Sequence, residues 1–170
     1  MVNLDKKILY EQLDNFQILR HDFLNYFQVI KGYLQLNMPD KALAYIDEVL
    51  VEIRPQQDIY KIGQKTLLGI LLGWYFKLRL KGAEFMLDFP PEMKNEEFWL
   101  DHWQEEYALS FSGYTKDCLD LFVQGDQDVE TLTAKIRFGV VGGGFSCEFR
   151  LYKEDNLFEQ NVYSPVYQKA

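Results

Sequence analysis

One histidine of the chain has neighbours that could make it reactive. Arg20, His21 and Asp22 are consecutive, and Asn25 follows one helical turn later. A carboxylate beside an imidazole can take the proton of one ring nitrogen, which leaves the other nitrogen as a nucleophile. The arginine could meet a phosphate group or a partner's acidic residues; alternatively, its stem packs in a helix seam while its head reaches water. The pattern predicts nucleophilic chemistry at His21.

The helix that must carry this histidine is marked by regularly spaced apolar residues. Their steps alternate between three and four positions, the a/d spacing of a bundle helix, and Arg20 occupies one position of the series. The apolar members are Leu9, Leu13, Phe16, Phe23, Phe27, Ile30 and Leu34. His21 then falls at a b position, on the surface of the bundle and not in its core.

A second helix is expected after the break at residues 37–40, with Asp40 as its N-cap and Pro55 as its end. It repeats the apolar spacing at Ala42, Ile46, Val49 and Ile53. Two helices alone cannot bury both apolar stripes, whereas two hairpins can pack as a four-helix bundle. We therefore predict a homodimer. The alternative is that the hairpin packs on the second half of its own chain.

A polar stripe is predicted on the outer side of the first helix. At roughly 100° per residue, Asn25, Gln28 and Gly32 fall within about 40° of His21. A histidine on a helix surface usually has no function, but this stripe is small and polar where a solvated face would carry Glu and Lys. Because glycine within a helix costs about 1 kcal/mol relative to alanine, Gly32 indicates close approach by a partner.

The second half is predicted to be an α/β region. We expect a helix at 65–80 capped by Gly82, followed by a strand at 83–89 that two prolines end. A mostly helical stretch at 96–123, interrupted near Ser112–Gly113, comes next. Strands at 131–141 and 145–153, joined by a glycine turn, complete the prediction. The tail, 154–170, is expected to pack through its aromatic residues or to fray.

Composition excludes several classes of function. The chain has 170 residues, is 48% hydrophobic and carries a net charge of −8, which permits a sizeable core and disfavours nucleic-acid binding. Its start is charged and its longest apolar run, 66–76, is too short to span a membrane. Cys118 and Cys147 lack metal or redox spacing and suit a reducing compartment. We expect a cytoplasmic protein with no nucleic-acid or membrane partner.

Other candidate sites carry less weight. His102 also has an aspartate neighbour, but its aromatic surroundings predict a half-buried helix face. The glutamate pairs at 96–97 and 105–106 point to different helix faces and are expected to be solvated. Asp126 and Asp128 lie in a Gly-Asp-Gln-Asp loop that could hold a metal ion, although we expect none there.

Residues 20–36, RHDFLNYFQVIKGYLQL, resemble the phosphoacceptor helix of the sporulation initiation phosphotransferase B family. The same helix type occurs in citrate-type sensor histidine kinases. The resemblance implies a dimeric four-helix bundle whose histidine takes a phosphoryl group from the aspartate of one response regulator and passes it to another. It implies that His21 is the phosphoacceptor and Asp22 its proton partner, flanked by Arg20 and Asn25. Gln28 and Gly32 complete the predicted docking stripe.

Residues 67–89 resemble the opening helix and strand of a kinase ATP-binding domain, but the nucleotide motifs are missing. The helix expected near 103–120 has no Asn for Mg²⁺ and phosphates, and no Asp-x-Gly-x-Gly sequence occurs. The glycines at 142–144 lie between two strands and predict a turn rather than a phosphate cradle. We expect no cofactor on this chain, and Mg²⁺ on the partner regulator's receiver domain.

The sequence therefore predicts an α+β protein. Residues 1–60 would form the helical-hairpin dimerisation and phosphoacceptor domain, and 61–170 a degenerate ATPase-like α/β sandwich. The predicted function is a histidine phosphotransferase of a bacterial phosphorelay that acts through His21 without ATP-dependent kinase activity. The alternatives are a non-catalytic dimeric adaptor or inhibitor that docks on a sensor kinase or regulator, and a stripped sensor kinase with weak ATP binding.

Overall fold

The computed structural model describes residues 3–123 and 132–165, with the backbone alone at 122 and 123. The chain divides into two compact units, Met1–Gln57 and Asp58–Ala170, where the sequence analysis placed the division at residue 60. The order of elements confirms the predicted α+β class, because helices precede a four-stranded sheet.

The N-terminal unit is built from two long helices, α1 (Leu4–Gln35) and α2 (Pro39–Ile59). The side chain of Asn3 caps α1 by accepting a hydrogen bond of 3.0 Å from the backbone N–H of Asp5. A short turn joins the helices, and Asn37 adopts a φ of 55° there. Asparagine tolerates this left-handed conformation better than most residues, which explains why the chain reverses at this point.

Two predictions for α2 are wrong. The helix begins at Pro39, so Asp40 lies in its first turn and does not cap it. Proline suits the first helical position because the N–H it lacks would have no partner in the helix. The helix also continues through Pro55 to Ile59. A proline inside a helix costs about 3 kcal/mol, and the full burial of Ile59 in the following turn favours the continued helix.

The C-terminal unit is a two-layer α/β structure. Its helices are α3 (Lys65–Leu80), α4 (Glu96–His102) and α5 (Glu105–Val123), with a short 3₁₀ helix at Pro91–Lys94. Its strands are β1 (Glu84–Asp88), β2 (Leu132–Val141), β3 (Gly144–Lys153) and β4 (Asn156–Tyr163). They lie in the order β1-β2-β3-β4; β1 is parallel to β2 and the other pairs are antiparallel. The three helices pack on the same sheet.

Two features of this unit differ from the predictions, the position of a helix break and an additional strand, and two glycine predictions are confirmed. The break between α4 and α5 falls at residues 103–104, not near Ser112–Gly113, because the Trp103 backbone is extended while its ring stacks on Phe145 at 6.0 Å. The tail contains β4, which the sequence analysis did not predict. A tight turn with φ of 48° at Glu154 and 62° at Asp155 leads into it. The predicted cap and glycine turn are present at Gly82 and Gly142, both with positive φ.

The core of the C-terminal unit is aromatic. Residues on one side of β2 and β3 alternate with polar residues on the other, and the inner set is fully buried. Trp74 of α3 stacks on Phe149 at 5.4 Å, and Phe111 of α5 contacts both Trp74 and Phe145. This aromatic core holds α3 and α5 against the sheet.

Candidate functional site

His21 lies near the middle of α1 with its side chain 75% exposed. Two polar neighbours approach its ring. Asn25 Nδ2, one turn along the helix, is 3.2 Å from His21 Nδ1, and Asp22 Oδ1 is 3.8 Å from the same nitrogen. Asp22 is 23% exposed, since it sits between the outer side of α1 and the side that faces α2.

Both neighbours act on Nδ1, which determines what the ring can do chemically. At 3.8 Å the Asp22 carboxylate exerts a charge effect and makes no hydrogen bond. The Asn25 amide nitrogen can only donate, so in this orientation Nδ1 accepts; with the amide turned by 180°, its oxygen would accept the Nδ1 proton instead. A proton held on Nδ1 leaves the lone pair on Nε2. The Asp22 carboxylate therefore favours Nε2 as the nucleophile of the exposed imidazole, and Asn25 would do the same with its oxygen facing Nδ1.

The polar stripe, defined as His21, Asn25, Gln28 and Gly32, lies on the outer side of α1. The first three residues are exposed, and Gly32 is half-buried. A Cβ added at Gly32 would meet no atom within 4 Å outside the local helix backbone. Packing within the chain therefore does not explain the glycine. Arg20 is also exposed, but it lies beside the stripe, within the apolar series of α1.

An uncovered apolar face occupies a second side of α1, roughly 120° around the helix from His21. Its residues are between 41% and 66% exposed: Leu9, Leu13, Phe16, Phe23, Phe27 and Leu34. Ile30, the remaining member of the predicted series, is half-buried and turns toward the hairpin. On α2, Leu43 and Leu50 are also exposed, at 62% and 50%. A continuous apolar surface of this kind is typical of a protein interface.

The third side of α1 faces α2 and carries residues that the sequence analysis did not single out. Tyr26 donates a hydrogen bond of 2.8 Å from its hydroxyl to Glu52 Oε1 of α2. Its ring also makes an edge contact with Tyr45 at 6.4 Å. The sequence could have indicated Tyr26, because it lies four residues after Asp22 and therefore on the same side of the helix.

In the C-terminal unit, the helix that would carry nucleotide ligands in a kinase presents aromatic residues to the sheet. Tyr107, Phe111 and Tyr114 of α5 are buried. The Tyr114 hydroxyl donates a hydrogen bond of 2.7 Å to the Asn161 carbonyl oxygen, and burial raises the Tyr114 pKa far above its ordinary value. Burial also raises the pKa of the Cys118 thiol to about 12, so this cysteine is a poor nucleophile at neutral pH.

The other candidate residues of the sequence analysis do not form a second site among the described residues. The His102 ring stacks on Phe98 with centroids 3.9 Å apart, and its Nδ1 is 2.8 Å from the Phe98 carbonyl oxygen, as expected for a half-buried helix residue. Asp126 and Asp128 lie outside the described residues. Within the described parts of the chain, no group of three or more His, Cys, Asp and Glu side chains could hold a metal ion. Nor is any helix there long and apolar enough to cross a membrane.

Fold and site together describe a class of protein: a helical hairpin that displays one histidine on a polar stripe, followed by an α/β unit. Residues 1–62 match the family model of the sensor kinase SpoOB-type alpha-helical domain. The match confirms the resemblance drawn from residues 20–36 and indicates that this helical part is related to phosphorelay proteins or sensor kinases. No curated protein matches the chain.

Proposed function

We propose that this chain is a homodimeric histidine phosphotransferase of a bacterial phosphorelay. His21 would accept a phosphoryl group from the aspartyl phosphate of one receiver domain and pass it to the aspartate of another. The observation that carries the proposal is the exposed His21 ring, whose two polar neighbours both meet Nδ1, within a SpoOB-type helical domain. Receiver domains are cytoplasmic signalling modules, so we place the reaction in the cytoplasm.

The proposed reaction is a substitution at phosphorus. Nε2 attacks the phosphorus atom of the aspartyl phosphate, an N–P bond forms, and the P–O bond to the regulator's aspartate breaks. The released carboxylate keeps the electron pair of that bond. In the second half of the relay, a carboxylate oxygen of the next regulator attacks the phosphorus and the N–P bond breaks. Phosphoryl transfer depends mainly on positioning and charge stabilisation, and we assign Mg²⁺ and most of that charge to the regulator.

Each predicted site residue has a role in this proposal. Asp22 would favour the proton on Nδ1 and stabilise the positive charge that the ring gains when Nε2 is phosphorylated, and Asn25 would assist with its amide oxygen turned to Nδ1. Arg20 is exposed beside the stripe, and we assign it to binding the incoming phosphate or acidic residues on the receiver domain. Gln28 and Gly32 would form a flat surface on which the receiver domain docks.

The homodimer in the proposal is supported by the uncovered apolar face. Phe16 and Phe27 are 64% and 66% exposed in the single chain. A second copy of the hairpin offers a matching apolar surface, and four helices can enclose what two leave open. Because this face and the polar stripe lie on different sides of α1, dimerisation would leave both copies of His21 accessible to receiver domains.

We propose that the C-terminal unit supports the hairpin and does not phosphorylate it. Mg²⁺–ATP chemistry needs polar ligands on the helix that lines the nucleotide site. Here, the side of α5 that faces the sheet is occupied by Tyr107, Phe111 and Tyr114, which are packed among other aromatic rings. This observation supports a phosphotransferase over an ATP-dependent kinase.

The test is phosphoryl transfer from a labelled receiver domain with Mg²⁺ and without ATP. We expect acid-labile, base-stable label on the wild-type chain and none on His21→Ala. The control is His102→Gln, which changes the other histidine and should keep the label. Label on His21→Ala would refute the assignment. Absence of label on the wild type would instead favour an adaptor, and label that requires ATP would favour a sensor kinase.

A further inference from the structure

Tyr26 lies on the side of α1 that faces α2. It directly follows Asn25 of the polar stripe and stands one turn after Asp22. Its hydroxyl donates the 2.8 Å hydrogen bond to Glu52 of α2, a residue 26 positions away in the sequence. This contact ties the turn of α1 that begins at His21 to the second helix of the hairpin.

The ring of Tyr26 makes two further contacts. It meets Phe23 of the uncovered apolar face edge-on, with centroids 6.0 Å apart. On the other side it meets Tyr45 of α2 at 6.4 Å, and Tyr45 in turn meets Tyr33 at 6.4 Å. Edge-to-face pairs of this kind contribute about 0.5–1.5 kcal/mol beyond the burial of their area. The tyrosine therefore connects the predicted dimer surface, the histidine turn and α2.

A single helix can rotate slightly about its axis when nothing holds a particular turn. Such a rotation would move the exposed His21 ring relative to a receiver domain docked on the polar stripe. Phosphoryl transfer requires the attacking nitrogen and the phosphorus to be close and aligned, and a displacement of about 1 Å can lower the rate about a hundredfold. A hydrogen bond from the adjacent side of the same turn restricts this rotation.

We propose that Tyr26 is a positioning residue for His21 and that Glu52 is the acceptor through which it acts. The inference rests on the proposed function, because the residue is assigned to the phosphoryl-transfer step. Tyr26 touches neither phosphate nor receiver domain in this proposal. It sets the orientation of the turn that holds His21 and Asn25, and it links that turn to Phe23 on the face where a second copy would pack.

The experiment compares Tyr26→Phe with the wild-type dimer in transfer from a phosphorylated receiver domain. We expect kcat to fall about tenfold while KM for the receiver domain stays unchanged, because orientation rather than docking is lost. Glu52→Gln keeps an acceptor oxygen and should keep nearly the wild-type rate, whereas Glu52→Ala should lower kcat as much as Tyr26→Phe does. The double variant Tyr26→Phe/Glu52→Ala should show no further loss. Tyr33→Phe, a change in the same aromatic row far from His21, is the control.

A second readout separates this inference from the proposed function. The ¹⁵N shifts of the His21 ring report its tautomer ratio; we expect Tyr26→Phe to change them and Tyr33→Phe to leave them unchanged. If the wild-type chain accepts no phosphoryl group, the proposed function fails, and the ring shifts alone decide the positioning role. Unchanged kcat and unchanged shifts in Tyr26→Phe would overturn the inference. An equal loss in Tyr33→Phe would also overturn it, since general packing would then explain the effect.

Discussion

In the N-terminal unit large apolar side chains are exposed to solvent, whereas in the C-terminal unit they form a closed core. Phe16 and Phe27 of α1 are 64% and 66% exposed, while Phe111 and Phe149 are fully buried. The C-terminal unit achieves this because a four-stranded sheet gives α3 and α5 a broad surface to cover. A two-helix hairpin has no such surface, so one apolar side of α1 remains available to another chain.

The difference bears on the proposed function because the proposed phosphoacceptor lies in the open unit. His21 shares α1 with the uncovered apolar face, and its neighbour Asp22 faces the hairpin. In the proposed function the site would depend on three surfaces: the exposed stripe, the packing of α1 on α2, and the face that a second copy would cover. The C-terminal unit, by comparison, holds its titratable Tyr114 and Cys118 in a packed interior where burial raises their pKa values.

The largest expected effect comes from opening the closed core. Phe111→Ala should lower the free energy of unfolding by about 3–5 kcal/mol, because it removes a buried ring and leaves a cavity beside Trp74 and Phe145. Urea denaturation would measure the loss. Leu109→Ala, on the same helix but 70% exposed, is the control and should change stability by less than about 0.5 kcal/mol. Equal losses in the two variants would show that α5 does not pack as described.

The second-largest expected effect comes from placing a charge on the uncovered apolar face. Phe27→Asp should leave the helical content of the chain unchanged but weaken the dimer about a hundredfold, because each copy loses about 1.5 kcal/mol or more of apolar burial. Sedimentation equilibrium would measure the dissociation constant. Gln17→Asp introduces the same charge at an exposed position outside the uncovered apolar face and should have little effect. A wild-type chain that remains monomeric at high concentration would contradict the dimer.

Much of this architecture could be predicted from local patterns. The bounds of α3 were predicted as observed, since an apolar run ends at a glycine with positive φ. The exposed position of His21 followed from the helical period of α1. In both cases the evidence lies within a few turns of the chain, where spacing alone determines which residues share a side.

What could not be predicted depends on residues distant in sequence. Pro55 was expected to end α2, but burial of the next turn favours a longer helix. Strand β4 follows a turn of Glu154 and Asp155, which lacks the usual glycine signal. The bond between Tyr26 and Glu52 depends on how the two helices align, and no local pattern contains that information.

The smallest effect distinguishes a docking surface from an ordinary helix face. Gly32→Ala should raise the free energy of unfolding by up to about 1 kcal/mol, because alanine favours helix and the added Cβ meets no atom within 4 Å. Gly113→Ala in α5, where space is equally open, should stabilise the C-terminal unit to a similar extent.

The two variants should differ in phosphoryl transfer. If a receiver domain approaches the polar stripe closely at Gly32, the added methyl group raises KM for that domain several-fold, whereas Gly113→Ala leaves it unchanged. A Gly32→Ala chain that is more stable and has an unchanged KM would show that the glycine contributes nothing to docking, and the docking surface would then be limited to the part of the stripe nearer His21.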